Sequence, residues 1–326
     1  MRSGSSHKAT VSSPSLTSSI KAEALRLGFD ACGVAKAQPV EEQAAALFRQ
    51  WLHHGHHATM RYMENHLDKR LNPQLLMEGV RSIVCVALNY KPLRHFKPTD
   101  YHLAAYAMGQ DYHDIVKKKL SQLAAFVEQR YASEYHPLAF RIFSDSAPVL
   151  ERYWATQAGL GWIGRNHQLL IPQQGSMFFL GELFLNIPLE YDTPMPSHCG
   201  TCHRCLDTCP TGALKEDGTF HAERCLSYLT IEHRGTIPEE AVGKMGNSIY
   251  GCDNCQNSCP WNAMGTPTQE SSLQPKDELM RMTREQWQHL TEDDYHRLFK
   301  GSAVKRAKYS GLMRNIQAVA SHEDDT

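Results

Sequence analysis

The sequence of 326 residues contains no apolar run approaching the roughly 18 residues that cross a bilayer, so no membrane span is expected. It has no surplus of either charge. Thirty-four Lys and Arg stand against 35 Asp and Glu, for a net charge of −1. No global positive field therefore advertises nucleic acid, and any such surface must be a local patch. The opening stretch, MRSGSSHKATVSSPSLTSS, lacks both an apolar core and a twin-arginine pair. It reads as a disordered lead-in over residues 1–15 rather than a signal peptide, which points to the cytoplasm. No Gly-x-Gly-x-x-Gly follows a strand, so a Rossmann dinucleotide site has no support. GLGWIG (159–164) follows a helix instead and reads as a helix stop with a tight turn. There is no internal repeat apart from two cysteine motifs.

Those motifs are the most informative residues present. Cys199, Cys202, Cys205 and Cys209, followed by Pro210, reproduce the bacterial ferredoxin run C-x2-C-x2-C-x3-C-P. A second copy, CDNCQNSCP, supplies Cys252, Cys255 and Cys259 before Pro260, but Ile249 stands where its first cysteine would be. Cys225 is the one spare cysteine nearby and completes eight ligands, enough for two 4Fe-4S clusters. In this motif three closely spaced thiolates hold one cluster and the fourth crosses to the other. The expected sets are Cys199, Cys202, Cys205 and Cys259 for one cluster, and Cys209, Cys225, Cys252 and Cys255 for the other. Four-cysteine zinc sites use two C-x2–4-C pairs and do not need this triplet. In the cytoplasm thiols stay reduced, which also argues against disulfides. Cys32 and Cys85 lie in apolar strands and read as small core residues.

Around the motifs, helices and strands alternate. A helix capped at Ser18-Ser19 ends near Gly28. A strand covers 29–37. Pro39 opens a second helix that runs to His57, with Leu47, Trp51 and Leu52 on one face. RSIVCVALNY (81–90) reads as a buried strand, 111–131 as a helix, and FRIFSD (140–145) as a strand. A helix with Pro148 in its first turn follows, then strands in HQLLIP and SMFFLGELFLN. This is an α+β or α/β core. Prolines 188, 194 and 196 mark a boundary. After the cysteines, 275–322 looks helical, and the last residues form a polar tail. Asp145 sits at a strand end, where ligand sites of open α/β sheets gather; capping the next helix is the other reading, and Ser146 could do that equally well.

Several longer stretches carry a resemblance. KRLNPQLL (69–76), GQDYHD (109–114), FSDSAPVLERYWATQAGLGWIGRN (143–166), GSMFFLGELFLN (175–186), CLSYLTIE (225–232) and YGCDNCQNSCPWN (250–262) are similar to the bacterial epoxyqueuosine reductases. The likeness runs from about residue 16 to about 318. It implies an α+β fold: a mixed α/β cobalamin-binding domain over 16–190, related to reductive dehalogenases, then a ferredoxin-like module of two 4Fe-4S clusters over 191–265, and a C-terminal helical segment over 266–326. It implies reduction of epoxyqueuosine to queuosine in a tRNA anticodon loop, by a monomer fed from an external low-potential electron donor. Asp145 matches the proton donor. Arg70, Asp145, Leu169, Leu180, Ser227, Cys252 and Asp253 match positions near cobalamin. Many members continue past the equivalent of residue 320 into a helical-repeat domain, so a smaller tRNA-gripping surface is expected here. A proton donor must hold its proton at neutral pH, so the Asp145 carboxyl is expected to be largely desolvated.

Other residues carry weaker signals. HHGHH (53–57) suggests a metal, but reads better as solvent-facing histidines at a helix end. Asp111, Tyr112 and His113 line the pocket, or Asp111 only caps a helix. Lys69, His233 and Arg234 are candidate tRNA contacts, with further cations at Lys91, Arg94, Lys97, 117–119, Lys305, Arg306 and Lys308. The rival functions are a cobalamin-dependent reductive dehalogenase, a non-catalytic ferredoxin-type electron carrier, and a zinc-stabilised RNA-binding module.

Overall fold

Every side chain from Ser82 to Asn89 is buried, because this strand is covered on both faces. The computed structural model describes residues 15–131 and 137–324; the expected lead-in lies outside them apart from Ser15. The chain runs through helix α1 (Leu16–Arg26), strand β1 (Ala31–Lys36), helix α2 (Glu42–His53), strand β2 (Ser82–Asn89) and helix α3 (Tyr112–Arg130). Strand β3 (Phe140–Phe143), helix α4 (Glu151–Gln157) and strand β4 (Phe178–Leu185) follow, then helix α5 (Leu226–Ile231) and helix α6 (Lys308–Asp324). The four strands make one sheet, ordered β1-β2-β4-β3, and every neighbouring pair is antiparallel.

Side chains alternate across this sheet. Val84, Val86 and Leu88 meet Ile20 of α1 and Val116, Leu120 and Leu123 of α3. Ile83, Cys85 and Ala87 face the other way, beneath Trp154 and Ala155 of α4. Truncating a fully buried residue such as Leu120 to Ala costs about 2–5 kcal/mol. A third core joins Tyr101 and Leu103 to α5, Tyr250, Trp287, Phe299 and Ile316 of α6. Asn315 ties α6 down by donating to the carbonyls of Thr230 and Ile249, each at 2.8 Å. Arg314 beside it donates to the carbonyls of Leu229, His233 and Gly235. No helix among the described residues is long and apolar enough to cross a membrane.

The mixed helix-and-sheet class is as expected, and several boundaries differ. Ser15, not Ser18 or Ser19, caps α1, accepting from the Ser18 amide. Helix α2 starts at Glu42 and ends at His53, so Pro39 lies outside it. Leu47 is 62% exposed, and the fully inward residue of α2 is Ala45. Pro148 also precedes its helix, because residues 144–150 form a turn that carries Asp145. HQLLIP shrinks to a two-residue strand, Leu169–Leu170, paired with Trp162–Ile163. Residues 283–299 hold two short helices, each capped by a threonine, Thr283 and Thr291. The polar tail is helical as far as Asp324.

Candidate active site

Asp145 follows β3 in a left-handed conformation, φ +52°, which Asp tolerates better than most residues. Ser144 is buried beside it, its hydroxyl donating to the Leu180 carbonyl at 3.0 Å. The Asp145 amide donates to Glu151 Oε1, and the Tyr112 hydroxyl donates to Asp145 Oδ2. His113 Nε2 stands 3.8 Å from that same oxygen. His113 is oriented in turn by Asp111, whose Oδ1 lies 2.6 Å from Nδ1 and also caps α3. Asp111 is thus both cap and site residue. Tyr112 is held by stacking on Phe179, with centroids 3.9 Å apart and planes 3° from parallel. Gly181 lets α3 come this close to β4: a Cβ there would sit 2.8 Å from Val116 Cγ1. Burial, then the Asp145 carboxylate, pushes the Tyr112 hydroxyl far above the usual phenol range.

Two expectations about Asp145 are corrected. Ligand sites gather at strand ends in parallel sheets, whereas this sheet is antiparallel. The side chain is 61% exposed, so the protein alone does not desolvate it. Capping is excluded as well, since the next helix is entered at Leu150, six residues after Ser144.

All ten cysteines are free thiols. Cys205 faces Cys259, Cys199 and Cys202, while Cys255 faces Cys252, Cys225 and Cys209. The chain therefore gathers the eight thiols into the two expected sets. Burial and like neighbours push Cys252 up to about 12 and raise Cys225, Cys255 and Cys259 as well. Thiols so disfavoured from ionising become thiolates when a metal centre supplies the compensating positive charge. The Trp162 indole donates to Cys199 Sγ at 3.5 Å and the Ala213 amide to Cys209 Sγ at 3.3 Å, as hydrogen bonds to cluster sulfurs would.

The residues matched to cobalamin come from separate segments of the chain. Arg70 donates to the Tyr62 carbonyl at 2.8 Å, and both Arg70 and Asp145 act electrostatically on the Tyr62 hydroxyl. Leu169 and Leu180 share one core beside Ser144. Ser227 lies in α5, directly after Cys225, which faces Cys252. Asp253 accepts from the Ala105 amide at 2.7 Å, and burial pushes it up to about 6. Tyr106, next to Ala105, feels the charge of Asp145 and packs near Gly251.

The expected tRNA contacts fare unevenly. Lys69 is partly exposed, on the helix Leu67–Leu71. Arg234 is occupied internally: it donates to the carbonyls of Ile231, Ala307 and Arg306 at 2.9–3.2 Å. His233 Nε2 lies 2.9 Å from the Thr236 carbonyl oxygen. Both still line an open depression of about 500 Å3 with Arg61, Tyr62 and Arg306. Lys91 donates to two carbonyls, Arg94 pairs with Asp277, and Arg306 forks onto Glu232.

The histidine run is not uniformly solvent-facing. His57 is 5% exposed and its Nε2 lies 2.6 Å from Glu64. His56, His221 and Glu223 each place a ligand atom within 4.8 Å of the others. The His56 and His221 rings, however, have centroids 4.1 Å apart. Two rings spread tetrahedrally around one ion, about 2 Å from each nitrogen, would sit further apart. Sequence reasoning also missed Glu151 and Glu182, two acids behind Asp145. The only signal was a charged residue inside the apolar run FFLGELFL.

Comparison with known proteins agrees with this geometry. Residues 70–146 match the family model of epoxyqueuosine reductase QueG, and 198–262 match a 4Fe-4S double cluster binding domain. The epoxyqueuosine reductase of Cellulophaga algicola is 44% identical, across 91% of this chain and 95% of that protein. The chain belongs to the epoxyqueuosine reductase family. The Escherichia coli epoxyqueuosine reductase is 38% identical over 92% of this chain and 79% of its own length. A crystal structure of epoxyqueuosine reductase with an epoxyqueuosine-modified tRNA-Tyr stem loop superimposes with a TM-score of 0.86 at 29% identity, covering 95% of this chain and 82% of that one. A Bacillus subtilis epoxyqueuosine reductase, solved with its catalytic aspartate loop swung out of the active site, gives 0.84 at the same identity and coverage.

Proposed function

We propose that this protein reduces epoxyqueuosine to queuosine in the anticodon loop of tRNA. The observation that carries the reading is the exposed Asp145 carboxyl, held by Tyr112 in a chain whose family relatives match it nearly end to end. The reaction takes an epoxide to an alkene. It consumes two electrons and two protons, and the epoxide oxygen leaves as water.

The two thiol sets are read as ligands of two 4Fe-4S clusters that relay electrons from an external low-potential donor. Cobalamin is read as lying between Asp145 and the second thiol set, because Asp145 bears electrostatically on both Tyr62 and Tyr106, and Asp253 beside that set accepts the amide of Ala105. Arg70, Leu169, Leu180, Ser227, Cys252 and Asp253 would hold the cofactor there. Bound there, cobalamin would supply low-potential reducing equivalents for opening the epoxide. Asp145 protonates the departing oxygen, a contribution of about 10²–10⁴-fold for general acid catalysis. Tyr112 and His113 fix its direction. Substrate and cofactor would cover the carboxyl that the protein leaves exposed. Lys69 and His233 are read as tRNA contacts. The reading places the protein in the cytoplasm, acting as a monomer.

The test is conversion. Protein loaded anaerobically with iron, sulfide and cobalamin is given a reductant and tRNA bearing epoxyqueuosine, and the digested nucleosides are weighed by mass spectrometry. Queuosine, lighter by one oxygen, should appear. Intact epoxyqueuosine with fully loaded protein overturns the reading.

A further inference from the structure

Glu182 is 0% exposed, and neither of its carboxyl oxygens has a hydrogen-bond partner. It stands in β4, opposite Cys85 of β2 on one side and Phe143 of β3 on the other. Helix α4 packs on this face, with Trp154 and Ala155 in the same core as Cys85 and Phe143. A carboxylate in such surroundings is strongly disfavoured, so Glu182 stays protonated. A buried carboxylic acid is then a hydrogen-bond donor without an acceptor.

The acceptor nearest in kind is Glu151, in the first turn of α4. Of the charged groups bearing on Glu182, Glu151 acts most strongly and Asp145 next. The Cys85 thiol, Arg152 and the Tyr112 hydroxyl also lie within reach of these acids. Arg152 Nη1 donates to the His167 carbonyl. Glu151 is engaged elsewhere: its Oε1 accepts the amide of Asp145. Burial, followed by the charge of Asp145, pushes Glu151 up to about 8. One acceptor thus holds the Asp145 amide and is also the charged group that bears most strongly on the unpartnered Glu182 acid.

We propose that Glu151 is a two-way latch for the Asp145 loop, accepting the Asp145 amide when the loop is in and the Glu182 carboxyl proton when the loop is out. In the loop-in state the left-handed turn at Asp145 is secured and Glu182 is left without a partner, as observed. In the loop-out state Glu151 swings to Glu182, and the buried acid gains its partner. Glu151 and Glu182 are positioning residues that act through Asp145. The inference rests on reading Asp145 as the proton donor.

Hydrogen exchange of the 144–150 amides in the holoenzyme tests it, with each variant compared with wild type at one pH. Glu151→Ala removes the latch. The Asp145 amide should exchange about fivefold faster, the scale of a hydrogen bond between uncharged groups. Glu151→Gln keeps the shape and an acceptor oxygen, and should restore much of the protection. Glu182→Leu removes only the rear partner, so the loop should stay in and exchange more slowly than in wild type. Equal exchange in Glu151→Ala and wild type overturns the latch. So does wild-type exchange in Glu182→Leu, because the rear partner is then irrelevant. Single-turnover rates separate this failure from that of the donor reading. If Asp145→Asn is fully active while Glu151→Ala still frees the loop, the donor assignment falls and the latch stands. If Asp145→Asn is inactive while Glu151→Ala changes neither exchange nor rate, the latch falls alone.

Discussion

The Tyr112 hydroxyl donates to the Asp145 carboxyl although 33 residues separate the two. Tyr112 opens α3 and is fixed by Phe179, so the carboxyl is aimed by an element other than its own. Asp145→Asn keeps the shape but supplies no proton. In a single turnover it should lose about 10²-fold or more, the usual scale for general acid catalysis. Tyr112→Phe keeps the stack and removes only the aiming bond, so it should lose less, about tenfold. Both should retain clusters, cobalamin and tRNA binding. An Asn variant that converts substrate at the wild-type rate would move the acid elsewhere, with His113 the first candidate.

Iron and sulfide should each be found at about eight per chain after anaerobic loading, as two four-iron clusters require. Cys225→Ala should damage one cluster and leave the spectroscopic signature of the other, because Cys225 groups with Cys209, Cys252 and Cys255 only. One or two zinc ions without sulfide would contradict the assignment.

Cys32 should be inert. Burial pushes its thiol up to about 12, and burial raises Cys85 well above the usual thiol value too. The reactive thiolate forms as pH rises towards the thiol's own value, so at pH 8 almost none is present. In the loaded protein neither cysteine should be alkylated at pH 8, while both should react once the chain is denatured. Alkylation of Cys32 at the rate of a free thiol would show that its partial burial in β1 does not protect it.

Binding to tRNA should weaken with salt despite the net charge of −1. Each phosphate contact removed lowers the slope of log K against log salt by about 0.7–0.9. Lys69→Ala should show that decrement. Arg234→Ala should instead lower thermal stability, because its guanidinium bridges the carbonyls of Ile231, Arg306 and Ala307. A full slope decrement for Arg234→Ala, with stability unchanged, would return it to the RNA surface.

The sequence reveals what depends on local spacing. The two thiol sets follow from cysteine intervals, and the buried strand at 82–89 from an unbroken apolar run. What it hides depends on contacts distant in the chain. Strand direction decides whether a strand end gathers ligands, and direction is set by which strands pair. The exposure of Asp145 depends on a turn in which its amide donates to Glu151, six residues on. The internal commitment of Arg234 depends on residues more than seventy positions away. A charge pattern shows where cations are, not which carbonyls they meet.

The core shared between the cluster module and the C-terminal helices also bears on how the protein can be taken apart. Asn315 and Arg314 staple α6 to main-chain carbonyls of the 229–249 segment, and Trp287 and Ile316 fill the same core as Leu226 and Tyr250. Residues 191–265 excised as a minimal electron-transfer module would lose that wall. Leu226 and Tyr250 would face solvent, and the support behind Cys225 and Cys252 would go with it. Two-cluster ferredoxins are stand-alone parts; here the same motif is built into a larger body. A biosensor or electron-delivery fusion made from this chain would have to carry residues 266–324 along to keep the wall behind Cys225 and Cys252.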